Sequence, residues 1–147
     1  MFTSIVVAVD ASEAAQQALT IACTLAKLTT AKLTLINVVD VSKLLAVAGY
    51  ETPYPVDAIE IMRTDSKQIL NDACTVCTAS GIEAAAATRE GDAIDEILQS
   101  AHDANADLIV LGTHGRKGLS RLFIGSVAEG VLRRATVPVL VVRGESA

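Results

Sequence analysis

Apolar positions along this 147-residue chain follow two alternating rhythms. Short runs rich in β-branched residues stand at Ser4–Asp10, Lys32–Val39, Asp107–Leu111 and Val137–Val142. Unbroken apolar runs of this length are what strands covered on both faces require. Between them, apolar residues recur every three to four positions. Leu19, Ala22, Cys23 and Ala26 mark a helix over Ser12–Leu28, with Asp10 or Ser12 as its N-cap. A second helix is predicted from about Asp57 to Ala79, with Gly81 as its C′ residue. Ile94, Ile97, Leu98 and Ala101 form the stripe of a third helix, from Asp92 as cap through His102. Ser126–Arg134 reads as a short fourth helix.

One stretch sets propensity against pattern. Ile82–Arg89 holds four successive alanines, which favour helix, yet it stands where the alternation demands a strand. A strand at a sheet edge is expected there. Five strands alternating with four helices, with no repeat or linker, predict one α/β domain over residues 1–147 with an open sheet. The irregular segment Asp40–Val56 interrupts the rhythm after the second strand, and it reads as a lid.

Composition narrows the function. A hydrophobic fraction of 51% with 20% charged residues describes a globular chain. No apolar run approaches the roughly 18–20 residues of a membrane span, and the start reads as a first strand rather than a signal peptide. A cytoplasmic location is the expectation. The net charge of -5 and 3% aromatic content argue against a nucleic-acid partner. Cys74 and Cys77 spell C-x-x-C, but deep inside a helical pattern rather than at a helix N-terminus. A zinc site lacks ligands, with only His102 and His114 to add. Cys23, Cys74 and Cys77 are therefore expected in the core. His102 is expected on a helix surface and His114 in a loop.

Charge is not evenly spread. Between Gly112 and Arg134 stand Arg116, Lys117, Arg121, Arg133 and Arg134 against the single acid Glu129. Glycines punctuate the same stretch as Gly112-x2-Gly115-x9-Gly125-Ser126. It follows the fourth strand and is neither G-x-G-x-x-G after a first strand nor a Walker P-loop. Glycine lets a backbone approach a ligand closely, and amides at a helix N-terminus attract anions. A reading without ligand stands beside this one: Ser126 and Glu129 spell a capping box, and the basic residues can simply solvate a loop.

The glycine spacing resembles the G-2x-G-9x-G-[ST] motif of the ATP-binding branch of the universal stress protein family. The opening IVVAVDAS, INVVD, ADLIVLGTHGR and TVPVLVVR extend the resemblance over the chain. It implies an open five-stranded parallel sheet of order 3-2-1-4-5 with helices on both faces, Rossmann-like and akin to the adenine nucleotide alpha hydrolases. In that order Asp10 and Gly112 face one another across a crevice that Val39 walls on one side. It implies ATP, or AMP or ADP, held by Asp10, Ala11, Val39, Leu111, Gly112, Gly115, Arg116, Gly125, Ser126 and Val127. Val39 would meet the adenine edge through its backbone, Asp10 would act near the phosphates through a magnesium-bound water, and Gly125–Val127 would meet the outer phosphates. No metal is expected to bind the protein directly. The resemblance also implies a homodimer through the last strand, Val137–Val142, and a protein partner that reads the nucleotide state. Two alternatives remain at this point: a slow ATPase or phosphoryl- or adenylyl-transferring enzyme, and a structural dimer with an empty site. Against enzymatic turnover stand the lack of a Walker lysine and of a second carboxylate beside Asp10.

Overall fold

The computed structural model describes residues 1–42, 56–113 and 124–144. β1 (Ser4–Ala8) leads into α1 (Glu13–Thr29), β2 (Lys32–Val39), α2 (Val56–Ala79), β3 (Ala84–Glu90), α3 (Ala93–Asp103), β4 (Leu108–Gly112), α4 (Ser126–Arg134) and β5 (Val139–Val142). All strand pairs are parallel, in the order β3-β2-β1-β4-β5. The central strands explain themselves. Ile5, Val6 and Val7 of β1 and Val110 of β4 are fully buried because helices cover both sheet faces. Each such side chain contributes about 1.5–3 kcal/mol relative to exposure.

Alternation along the strands divides the core in two. Ile5, Val7, Leu33, Leu35 and Val110 pack against α1 and α2, joined by Ala18, Leu19, Leu70 and Cys77. Val6, Ile36, Ile109 and Leu111 pack on the other face against Ile97 and Ala101 of α3 and Ala128 and Val131 of α4. On α2 the buried stripe is Ser66, Leu70, Ala73 and Cys77, at helical spacing. Tight packing between α1 and β4 rests on Gly112, where an added Cβ would lie 2.5 Å from the Ala14 carbonyl carbon.

Caps decide the helix ends. Ser12, not Asp10, caps α1, accepting from the Ala15 N–H at 3.2 Å. Asp10 instead accepts from the Ser12 N–H at 2.7 Å, closing the turn before the cap. α2 ends as expected at Gly81, with φ +80. The Gly81 N–H donates to the Thr78 carbonyl and the Ile82 N–H to the Cys77 carbonyl, a Schellman motif.

The alanine stretch is a strand and lies at a sheet edge, paired to β2 from Ala84 to Glu90. Tertiary pairing overrides the helical propensity of its alanines. Several boundaries differ from expectation, β3 among them, which runs Ala84–Glu90 rather than Ile82–Arg89. β1 ends at Ala8 rather than Asp10, since the chain turns off toward α1. β4 begins at Leu108 because the Asp107 carboxylate accepts from the Thr3 N–H and hydroxyl and the Ser4 N–H. Those bonds, the Thr3 N–H foremost, hold Asp107 below the usual carboxylate range. β5 begins at Val139, since Pro138 has no N–H and contributes only its carbonyl, which accepts from Ile109 at 3.0 Å. The expected lid lies largely in residues 43–55, outside the described residues.

Candidate functional site

The order β3-β2-β1-β4-β5 reverses between β1 and β4, and open α/β sheets bind ligands beyond the strand carboxyl ends at such a point. A cavity of about 220 Å³ opens there. Asp10 and Gly112 both line it, as expected, with Leu111 from the floor of β4. Val127 of α4 and Ala93 and Ile97 of α3 form the opposite wall. Ala11 opens instead onto a neighbouring groove between α1 and α2, which Asp10 also borders. Gly115 and Arg116 lie outside the described residues.

Val39 does not line the cavity; Val38 and Asp40 do. The Val39 side chain is buried, and its carbonyl accepts from the Gly91 N–H at 3.1 Å, on the β3 side. Peptide groups alternate sides along a strand. The Ile36 carbonyl accepts from the Val9 N–H at 2.8 Å, so it points to the β1 side, and so do the N–H and C=O of Val38. β1 has already turned away at that level. The ladder would continue with Val38 donating to Val9, but the buried Asn37 side chain donates to the Val9 carbonyl instead, at 2.8 Å. Asn37 thus closes the β1–β2 ladder and leaves the Val38 backbone open to the crevice. Its only sequence signal was a polar residue inside an apolar strand.

Two helices begin at this cavity and differ. The start of α3 is satisfied by carboxylates: Asp92 accepts from the Asp95 N–H at 3.0 Å, and Asp40 from the Ala93 N–H at 3.3 Å. The start of α4 has no side-chain cap. The capping box of the ligand-free reading does not form, because Ser126 is the first helical residue and not the cap. Gly125 takes the cap position with φ +100, a conformation other residues rarely adopt. Glu129 turns away to Arg133, 2.7 Å distant. The first amides of α4 therefore keep their attraction for an anion beside the cavity. Asp40 is also the second carboxylate that sequence reasoning did not find beside Asp10. It is buried, and it holds Ser42 Oγ as well as the Ala93 N–H.

The remaining candidates sort simply. His102 is exposed on α3, and His114 lies outside the described residues. No cluster of His, Cys, Asp or Glu suited to a metal ion occurs among the described residues. No helix among them is long and apolar enough to cross a membrane.

A doubly wound parallel sheet with a cavity at its switch point and a helix N-terminus without a side-chain cap places the chain among the open-sheet α/β proteins. The comparisons with known proteins are more specific. The model of the universal stress protein family matches residues 1–143. A curated relative from Staphylococcus aureus (strain USA300), itself assigned to the universal stress proteins, is 35% identical over 146 residues, 98% of this chain and 86% of the relative. A solved universal stress family protein from Burkholderia pseudomallei aligns with a TM-score of 0.76 at 32% identity, over 95% of each chain. A universal stress protein solved in complex with cAMP aligns with a TM-score of 0.67 at 25% identity, over 96% of each chain. The chain belongs to the universal stress protein family.

Proposed function

We propose that this protein is a cytoplasmic, ATP-binding regulator that holds the nucleotide in the cavity between β1, β4 and α4. The observation that carries the reading is the start of α4, where Gly125 replaces a side-chain cap and Val127 borders the cavity. Helix N-termini in that state are ready anion sites. The base edge meets the N–H and C=O of Val38, in place of Val39, whose carbonyl is taken by Gly91. Backbone recognition suits a cavity without aromatic side chains among its lining residues. The phosphates run toward Gly125, Ser126 and Val127, and the glycine motif alone adds Gly115 and Arg116 to their contacts. Asp10 lies where a magnesium-bound water would meet the phosphates. The cAMP complex of a relative supports an adenine nucleotide as ligand.

The same reading makes the protein a homodimer. β5 pairs only with β4 among the described strands, and Val139, Leu140 and Val141 are left half-exposed along that edge. An apolar edge strand of this kind is a liability until it is paired, and a second copy of β5 supplies the partner. The dimer surface is then what a partner protein reads.

Calorimetry with ATP, with and without magnesium, on wild type and Gly125→Val tests the nucleotide site. Micromolar binding that the variant loses is expected, with a stability gain of about 2.7 kcal/mol at a hundredfold excess over Kd. A well-folded wild type that binds no adenine nucleotide overturns the reading. Sustained phosphate release of several turnovers per second, abolished by Asp10→Ala, would make the protein an enzyme instead. A monomeric mass in light scattering at micromolar concentration would remove the dimer.

A further inference from the structure

The nucleotide site leaves a second chemical feature unused, on the opposite face of the sheet. Cys23 of α1 and Cys77 of α2 are both buried, at 2% and 0% exposure, and their sulfurs lie 3.3 Å apart. The neighbour in sequence, Cys74, is half-buried one turn earlier on α2. The C-x-x-C spelling thus points to the wrong partner: the thiol facing Cys77 comes from another helix, 54 positions away. Helices α1 and α2 bring the two together because Leu19, Ala22, Cys23 and Ala26 on one and Leu70, Ala73 and Cys77 on the other form one apolar seam. A groove between the same helices is lined by Leu19, one turn before Cys23 on α1, and by Ala73 and Val76, which precede Cys77 on α2, though neither sulfur lines it. A small reagent reaches the sulfurs only when α1 and α2 part locally along this seam.

We propose that Cys23 and Cys77 are a reversible dithiol–disulfide pair, a redox site that staples α1 to α2 when oxidised. The co-reactant is a low-molecular-weight disulfide, RSSR. One thiol of the pair, as thiolate, attacks RSSR and forms a mixed disulfide, releasing the first RSH. The second sulfur then attacks the mixed disulfide at the protein sulfur, expelling the second thiol. The balance is two protein thiols and one RSSR giving one Cys23–Cys77 disulfide and two RSH, which carry away both protons. The helix that would be tethered, α1, follows the turn in which Asp10, a residue lining the cavity, accepts from the Ser12 N–H.

The environment sets the resting state. Burial, then the hydrogen bond with Cys23, pushes the Cys77 thiol up to about 12. Thiolate is scarce at neutral pH, so the pair exchanges slowly, faster as pH rises, while the surrounding redox buffer sets which state prevails at equilibrium.

The test is equilibration of the full-length protein in glutathione redox buffers, followed by alkylation under denaturing conditions and peptide mapping. In wild type, the expected oxidised product has a Cys23–Cys77 linkage within one chain and one alkylated thiol, Cys74. In Cys74→Ser, which leaves the buried pair intact, both remaining thiols are expected to disappear together and to return with dithiothreitol. Three results would overturn the proposal: a Cys74–Cys77 bond in wild type, bonds only between chains, or two free thiols in Cys74→Ser after equilibrium with oxidised glutathione. The thiol count does not depend on nucleotide, so its outcome is independent of the ATP reading.

Discussion

α3 and α4 lie side by side on the same face of the sheet and both begin at the cavity, but only one of them is finished. Two carboxylates, Asp92 and Asp40, meet the first amides of α3. α4 starts from a glycine with φ +100 and no side-chain bond, although a serine and a glutamate with capping-box spacing are at hand. A capped helix start contributes stability, by about 1 kcal/mol for a typical side-chain cap. An uncapped one gives up that stability and keeps donors for something that arrives later. On the proposed function, the contrast separates residues that hold the fold from residues that would meet the nucleotide, and substitutions along it can be ordered by size.

The largest effect is expected at the wall both regions share. Gly112→Ala drives a Cβ into the backbone of Ala14 and Ala15, at 2.5 and 2.7 Å. Backbone cannot swing aside, so a loss of about 3 kcal/mol is expected in urea unfolding, with or without nucleotide. A neutral Gly112→Ala would mean that α1 and β4 do not pack this closely. Next comes Asn37→Leu, which leaves the buried Val9 carbonyl without its donor at a cost of about 2 kcal/mol. It also lets β1 and β2 shift at the Val38 backbone, so nucleotide affinity should fall further than the stability loss explains. Preserved affinity in a folded Asn37→Leu would detach Val38 from recognition.

Gly125→Ala follows, with about 1–2 kcal/mol of strain from its positive φ. The two helix starts then give opposite signatures. Asp92→Ala should cost about 1 kcal/mol of stability and leave nucleotide affinity intact. Ser126→Ala should change stability by less than about 0.5 kcal/mol, because Ser126 is exposed and caps nothing, yet weaken nucleotide binding. If Ser126→Ala destabilises as much as Asp92→Ala, the capping box forms after all and the contrast collapses. The smallest effect is expected at Gly130, where the two helices touch. An added Cβ meets the Ile94 side chain, Cδ1 at 2.3 Å and Cγ1 at 3.0 Å, which must turn aside, while alanine favours helix. Gly130→Ala should therefore be close to neutral in the same urea titration.

Much of the site was legible in the residues, but by position rather than by bond. Asp10 and Gly112 were expected across the crevice and both line it; Leu111 and Val127, expected to meet a nucleotide, line it too, whereas Ala11, Val39, Gly125 and Ser126 do not. The strand through four alanines was legible only from the alternation, since its own propensity pointed to helix. The capping box was misread because S-x-x-E records which residues are available, and not whether the serine sits before the first helical turn or inside it. Val39 was expected to wall the crevice and Val38 does so instead, because in a strand one residue reverses the side to which the peptide groups point. The C-x-x-C spelling drew attention to Cys74 while the sulfur beside Cys77 belongs to Cys23.

The sequence by itself determined the succession of strands and helices, where α2 stops at Gly81, and which stretch carries glycine and positive charge. Those are local properties: side-chain branching, apolar period, and the freedom of glycine to take positive φ. Only the tertiary structure decided which amides stay unpaired, which peptide group faces the crevice, and which two thiols meet. Each depends on where a distant segment turns away or comes close. β1 leaving β2 at Val9 exposes the Val38 backbone, and α1 packing on α2 brings together two sulfurs 54 positions apart.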